Sequence, residues 1–159
     1  MIRGEIYEST FEMCTRENWE EALALKVKKQ QSNFVPPVAV SLAKIYIKPD
    51  GDNIVYLPFA IYDKEIMVGF IMHAYDESTT NMYWINGFII DESYQGKGYG
   101  RAALSEMVHW IANRFTICKE IRLTVFKDNE NARELYKRFG FLPTGDVYGE
   151  EDVWFIPIK

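Results

Sequence analysis

Apolar positions along the chain alternate between two periods, and the changes of period fall at identifiable breaks. Phe11 to Thr15 reads as a short strand. Asn18 followed by Glu21 fits a capping box, which predicts a helix running to about Lys26 with Trp19, Ala22, Leu23 and Val27 on its apolar face. Pro36 and Pro37 cannot sit inside a helix, so the segment from Lys28 breaks it. Val38 to Tyr46 resumes as a second helix with Val38, Leu42 and Ile45 on one side, and Lys48 to Asn53 is a turn cluster. Three strand-like runs follow: Ile54 to Tyr62, Ile66 to Tyr75 and Met82 to Ile90. Asp63-Lys64 turns the first into the second, and the polar loop Asp76 to Asn81 joins the second to the third. Gly69, inside a strand pattern, predicts a bulge or a close backbone approach.

The pattern then becomes helical. Leu104, Met107, Val108, Ile111 and Phe115 recur on one face at a period near 3.6, so a helix extends to about Arg114. Ile121, Leu123 and Val125 alternate with Arg122 and Thr124, as in a half-buried strand. Ala132, Leu135, Tyr136 and Phe139 share a helical face; Asp128 or Asn129 can cap its start, and Gly140 suits the left-handed position after its end. Phe141 to Tyr148 and Asp152 to Ile158 form a closing hairpin turning at Gly149-Glu150, while Met1 to Ser9 are weakly specified. Two early helices, an antiparallel meander and a strand-helix-strand-helix unit indicate an α/β fold with a mixed sheet. The length of 159 residues fits a single domain, 1–159, with no repeat or linker.

Composition narrows the function classes. Apolar residues make up 48% and aromatic residues 15%, enough for a filled core or an aromatic-lined cleft without staples. A net charge of −5 argues against general binding to nucleic acid or an anionic membrane and is compatible with cationic ligands. Cys14 and Cys118 lie far apart without metal-ligand spacing and read as free thiols of a reducing compartment. The N-terminus lacks the charged and apolar runs of a signal peptide, which leads to the expectation of a cytoplasmic protein. His73 and His109 stand alone, so no metal is expected; His73 is a candidate for the cleft wall, whereas His109 reads as packing or surface.

The candidate chemistry lies between the third run of the meander and the long helix: Phe88-Ile-Ile-Asp-Glu-Ser-Tyr-Gln-Gly-Lys-Gly-Tyr-Gly-Arg-Ala-Ala-Leu104. A glycine-rich turn entering a helix presents backbone N–H groups that have no intrahelical partner, backed by the positive end of the helix dipole. Missing Cβ atoms let a ligand approach closely, and the result is a cradle for phosphate or diphosphate. A Walker loop would need Ser or Thr after Gly-Lys, and the dinucleotide fingerprint would need glycine where Arg101 stands.

The spacing Gln95-x-x-Gly98-x-Gly100 resembles motif A of the GCN5-related N-acetyltransferases. Asn129-x-x-Ala132-x-x-Leu-Tyr-Lys-Arg-x-Gly-Phe141 resembles motif B of the same family, one helix and one strand later. Gln30-x-x-x-Phe34-Val, Ser41-Leu-Ala43 and the run Phe88 to Gly98 are similar to bacterial spermine/spermidine acetyltransferases. The resemblance implies a mixed, mostly antiparallel twisted sheet of about seven strands flanked by about four helices. It implies acetyl-CoA as co-substrate, with the main chain of Phe88, Ile89 and Ile90 beside the pantetheine and acetyl part. Gln95, Gly96, Lys97, Gly98, Tyr99, Gly100 and Arg101 would hold the diphosphate, and Asn129 would contact the coenzyme. Tyr136 would meet the coenzyme sulfur and act as the general acid.

The acceptor is then a primary amine, first of all a polyamine such as spermidine or spermine, and relatives often pair as homodimers. One position departs from the pattern. Polyamine-acetylating relatives commonly carry an acid two residues before the Phe, and this chain has Asn86. Substitutes include Asp63, Glu65, Asp76, Glu77, Asp146, Glu150 and Glu151. Three alternatives stay open: another amine (a protein N-terminus, a lysine, an amino acid or an aminoglycoside), a non-catalytic acyl-CoA-binding module, or a nucleotide-phosphate binder, disfavoured by the missing Walker signature.

Overall fold

The structure, a computed structural model, describes residues 9–159, so the reading of Met1 to Ser9 lies almost wholly outside it. The alternating and continuous apolar runs become β1 (Ser9–Met13), β2 (Val55–Asp63), β3 (Ile66–Tyr75), β4 (Tyr83–Ile90), β5 (Glu120–Phe126), β6 (Leu142–Tyr148) and β7 (Glu151–Pro157). The helical runs become α1 (Trp19–Leu23), α2 (Val38–Ile47), α3 (Tyr99–Arg114) and α4 (Glu130–Phe139). One sheet carries the strands in the order β1-β2-β3-β4-β5-β7-β6. Every neighbouring pair is antiparallel except β4 and β5, which run parallel. The α/β architecture expected from the sequence is the one observed.

Each face of the sheet has its own core. Leu104, Met107 and Ile111 of α3 pack with Ile121, Leu123 and Val125 of β5 and Tyr136 of α4 on one side. Ala22 of α1 and Val38 of α2 pack with Tyr56, Ala60, Phe70 and Met72 on the other. No helix among the described residues is long and apolar enough to cross a membrane. Both cysteines are free.

Long-range contacts moved several local expectations. Asn18 stands at the start of α1 but makes no capping bond to it. Its side chain instead accepts from the Thr15 amide at 2.8 Å and donates to the Met13 carbonyl and the Tyr62 hydroxyl. The helix it begins stops at Leu23 rather than Lys26, which frees Val27 for the site. The first strand ends at Met13, and the β2–β3 turn falls at Lys64-Glu65, one residue later than expected, with Lys64 at φ 57°. Gly69 fulfils both readings offered for it. The β2–β3 register shifts beside it, and a Cβ there would lie 2.4 Å from the Ile89 carbonyl oxygen.

His73 is not a cleft residue. Its strand is buried on both faces, and its ring is fully buried, stacked on Tyr75 at 4.7 Å and edge-on to Trp110 at 6.0 Å. Nδ1 lies 2.9 Å from the Trp84 carbonyl, and Nε2 has no hydrogen-bond partner among the described residues. Burial pulls its pKa down to about 4 from 6.5, only partly opposed by that carbonyl. The folded state therefore holds a neutral imidazole between pH 6.5 and 4, where the unfolded chain takes up a proton. That difference costs about 3 kcal/mol of stability across the interval, lost as pH falls. We expect urea midpoints to drop over this range in the parent protein and to drop less in His73→Phe; equal slopes would show that His73 is not the titrating group.

Candidate active site

The site begins where the sheet comes apart. The β4–β5 ladder is confined to Trp84 opposite Arg122. Beyond it the two strands diverge, and the remaining edge of β4 has no strand beside it among the described residues. The Asp91 amide donates to the Val68 carbonyl on β3 at 2.8 Å. By strand alternation, the main-chain groups of Ile90 and Phe88 then point the other way, into the opening. The Ile90 carbonyl does so and accepts from Gln95 Nε2 at 2.9 Å.

The same stretch carries a bulge. The β3–β4 register passes from Phe70 opposite Ile89 to Met72 opposite Asn86, so Gly87 and Phe88 together face Ile71. Gly87 has φ +57°, and a Cβ on it would sit 2.4 Å from Ser41 Oγ, a buried hydroxyl without a hydrogen-bond partner among the described residues. In Gly87→Ala we expect a stability loss of about 2–4 kcal/mol, from left-handed strain plus overpacking. In a Ser41→Ala background the nearest atom becomes the residue-41 Cβ at 3.4 Å, and the loss should shrink to about 1 kcal/mol. Equal losses by urea denaturation in both backgrounds would rule out the contact.

Two residues on from the 3₁₀ turn Glu92–Tyr94, the glycine turn enters α3. Gly96 and Gly98 have φ 76° and 92°, conformations that side-chain-bearing residues adopt at a cost. Gly98 occupies the cap position, and no side chain caps the helix. The amides and dipole of a sixteen-residue helix thus end at this turn without a built-in anion. Tyr99 anchors the helix start: its ring is buried, and its hydroxyl donates to the Asp63 carboxylate. Asp63 is engaged in this way away from the cleft lining.

A cleft of about 500 Å³ joins these parts, a volume suited to a small-molecule ligand. Phe88, Ile89, Ile90, Gln95, Gly96, Gly98, Tyr99, Gly100, Arg101, Asn129 and Tyr136 all line it. Of the residues expected to hold the coenzyme, Lys97 lies outside that lining, with an exposed side chain. The Arg101 guanidinium lies 5.5 Å from the centroid of the Phe139 ring. Asn129 is the α4 cap, its Oδ1 accepting from the Ala132 amide at 3.4 Å, and it faces the cleft as well. The Tyr136 ring packs on Phe141 at 5.7 Å, and its hydroxyl makes no hydrogen bond among the described residues. Burial pushes its pKa well above the ordinary 10, so the phenol holds its proton at any working pH.

The roof went unread in the sequence. Val27, Lys28, Gln31, Phe34 and Val35, between α1 and α2, also line the cleft. Two attachments hold this segment. Asp91 Oδ2 accepts from the Lys26 amide at 3.0 Å, and Gln31 and Gln95 exchange amide hydrogen bonds at 2.9 and 3.1 Å. The Gln95 side chain is thereby committed to Gln31 and Ile90, and its main chain is what it can offer a ligand. Lys28 adds a cation near the glycine turn. Asn86 is half-buried, and its side chain has no hydrogen bond among the described residues. Among these residues no group of His, Cys, Asp and Glu is placed to hold a metal ion.

Comparisons with known proteins agree with this arrangement. The chain matches the Acetyltransferase (GNAT) family model over residues 10–141. It is 33% identical over 138 residues to a spermine/spermidine N(1)-acetyltransferase of Bacillus subtilis, covering 84% of this chain and 87% of the relative. Its fold is similar to a spermidine N-acetyltransferase from Vibrio cholerae solved with CoA and spermine: TM-score 0.72, 19% identity, 94% of this chain and 95% of that one. It is also similar to an acetyltransferase from Salmonella typhimurium that modifies the N-terminal serine of a 50S ribosomal subunit protein: TM-score 0.68, 13% identity, 96% of each chain. The chain belongs to the acetyltransferase (GNAT) family and is an acetyl-CoA-dependent N-acetyltransferase.

Proposed function

We propose that the protein moves the acetyl group of acetyl-CoA onto a primary amine, with a polyamine such as spermidine or spermine as acceptor, and that Tyr136 is the general acid. One observation carries this reading. The uncapped start of α3, the unladdered edge of β4 and Tyr136 all line one cleft. The diphosphate would rest on the amides of the glycine turn, with Arg101 and Lys28 adding charge. The pantetheine arm would lie along Phe88 to Ile90 in the place of a missing strand, its amides bonded to the main chain there.

The neutral amine attacks the thioester carbonyl; a C–N bond forms and the C–S bond breaks. The ammonium proton leaves to solvent, and the Tyr136 proton goes to the departing thiolate, giving the acetamide and free CoA. Most of the rate comes from holding amine and thioester together. Burial keeps the phenol protonated, so the proton is in place when the basic thiolate departs.

The polyamine choice is supported by the Bacillus subtilis relative, whose name gives spermine and spermidine as its substrates. Asn86 favours a second reading, an acceptor of a different class. The Salmonella typhimurium structure shows that a similar fold acts on a protein N-terminus. Free CoA thiol released across a panel of amines separates the two. Turnover with spermidine, spermine or a diamine supports the first. If these fail while a peptide N-terminus or an amino acid works, the second holds.

A further inference from the structure

A cationic acceptor needs a counter-charge, and Asn86 supplies none. We propose that Glu151, held by Thr124, receives an ammonium group of the acceptor; this rests on the reading of the protein as an amine acetyltransferase. The strand registers place it. Trp84 and Arg122 share a face as the β4–β5 rung, so Asn86 and Thr124, two residues further on, flank the opening on that face. Phe126 continues the same face of β5 and stands opposite Glu151 of β7, which in turn stands opposite Tyr148 of β6. Glu151 therefore lies in a row between two aromatic residues, at cross-strand neighbour spacing. Thr124 Oγ1 donates to Glu151 Oε1 at 3.1 Å and ties the carboxylate to β5, the strand that borders the opening.

The charge pattern singles Glu151 out. Glu120, at the start of β5 on this face, is neutralised by Arg122 at 2.6 Å. Asp152 is paired with Arg133 at 3.1 Å on the opposite face. Glu151 is half-buried and has no cation partner among the described residues. Of the substitutes named for the missing acid, Asp63 is bonded to Tyr99 and Asp76 to Ser78. A carboxylate oriented by a hydroxyl and flanked by aromatic rings is a receptor for an alkylammonium, which bonds the one and lies against the others.

The test is steady-state kinetics on the full chain with the amines the parent protein acetylates, at saturating acetyl-CoA. Glu151→Gln should raise the amine KM about tenfold with kcat and the acetyl-CoA KM nearly unchanged. Glu151→Asp should recover part of this, and Thr124→Val should raise the amine KM by less. The rise of the parent's amine KM with added salt should flatten in Glu151→Gln, a change that altered packing alone would not produce. An active parent with unchanged amine KM in Glu151→Gln would overturn this assignment and leave acetyl transfer standing. A parent that binds acetyl-CoA but acetylates no amine would overturn both.

Discussion

Tyr136→Phe is expected to lower turnover by on the order of 10²- to 10³-fold while acetyl-CoA binds as before, because the change removes only the proton donor. The ring keeps its contact with Phe141, and the lost hydroxyl has no hydrogen bond to forfeit among the described residues. Thermal stability should therefore hold or rise slightly, since a buried hydroxyl is removed rather than orphaned. Turnover measured as CoA thiol release, beside acetyl-CoA affinity by calorimetry, reads both halves. Near-parental turnover would remove Tyr136 from the mechanism. Lost binding would make it a packing residue. The pH profile is a companion readout: a phenol whose pKa burial has raised should add no titration below pH 9 or so.

The second large effect is expected at the other end of the cleft. Gly100 lies in the first turn of α3, and a Cβ there would meet Leu135 Cδ2 at 3.6 Å and Ile90 Cγ1 at 3.9 Å, ordinary contacts. Glutamate in a first turn is favourable for a helix. Gly100→Glu should therefore fold as well as the parent, yet carry a negative charge where the diphosphate would sit. Acetyl-CoA affinity should fall on the order of 100-fold, more at low salt than at high, with Gly100→Gln affected less. Parental affinity in Gly100→Glu would place the diphosphate elsewhere.

What could be read in advance follows from sequence separation. The glycine turn and α4 are local, and spacing drew them, leaving the cap between Asp128 and Asn129; the structure gives Asn129. Tyr136 and Phe88 to Ile90 reach the same cleft because strand and helix order carries them there. The roof was unreadable because Gln31 is placed by Gln95, 64 positions away, and Lys26 by Asp91. Asn18 looked like a cap because a capping box is a four-residue pattern, but its Oδ1, the capping acceptor, is taken by the Thr15 amide, and its NH2 donates to Met13 and to Tyr62 across the fold. His73 looked like a wall residue because a lone histidine in a strand carries no sign of which strands flank it; with β2 and β4 on either side it is sealed in. The divergence of β4 from β5 leaves no mark on β5, which keeps its alternation to Phe126, and on β4 the only trace is Gly87, where the bulge reverses the faces of the residues that follow.

The central claim is that α3 begins as a seat for a diphosphate. The direct measurement is calorimetric titration of the parent protein with acetyl-CoA and, separately, with S-acetylpantetheine, which has the thioester and arm but no diphosphate. Saturable acetyl-CoA binding, about 100-fold or more tighter than the truncated thioester, is the predicted result. Equal affinity for the two, or no acetyl-CoA binding at saturating concentration, would contradict it.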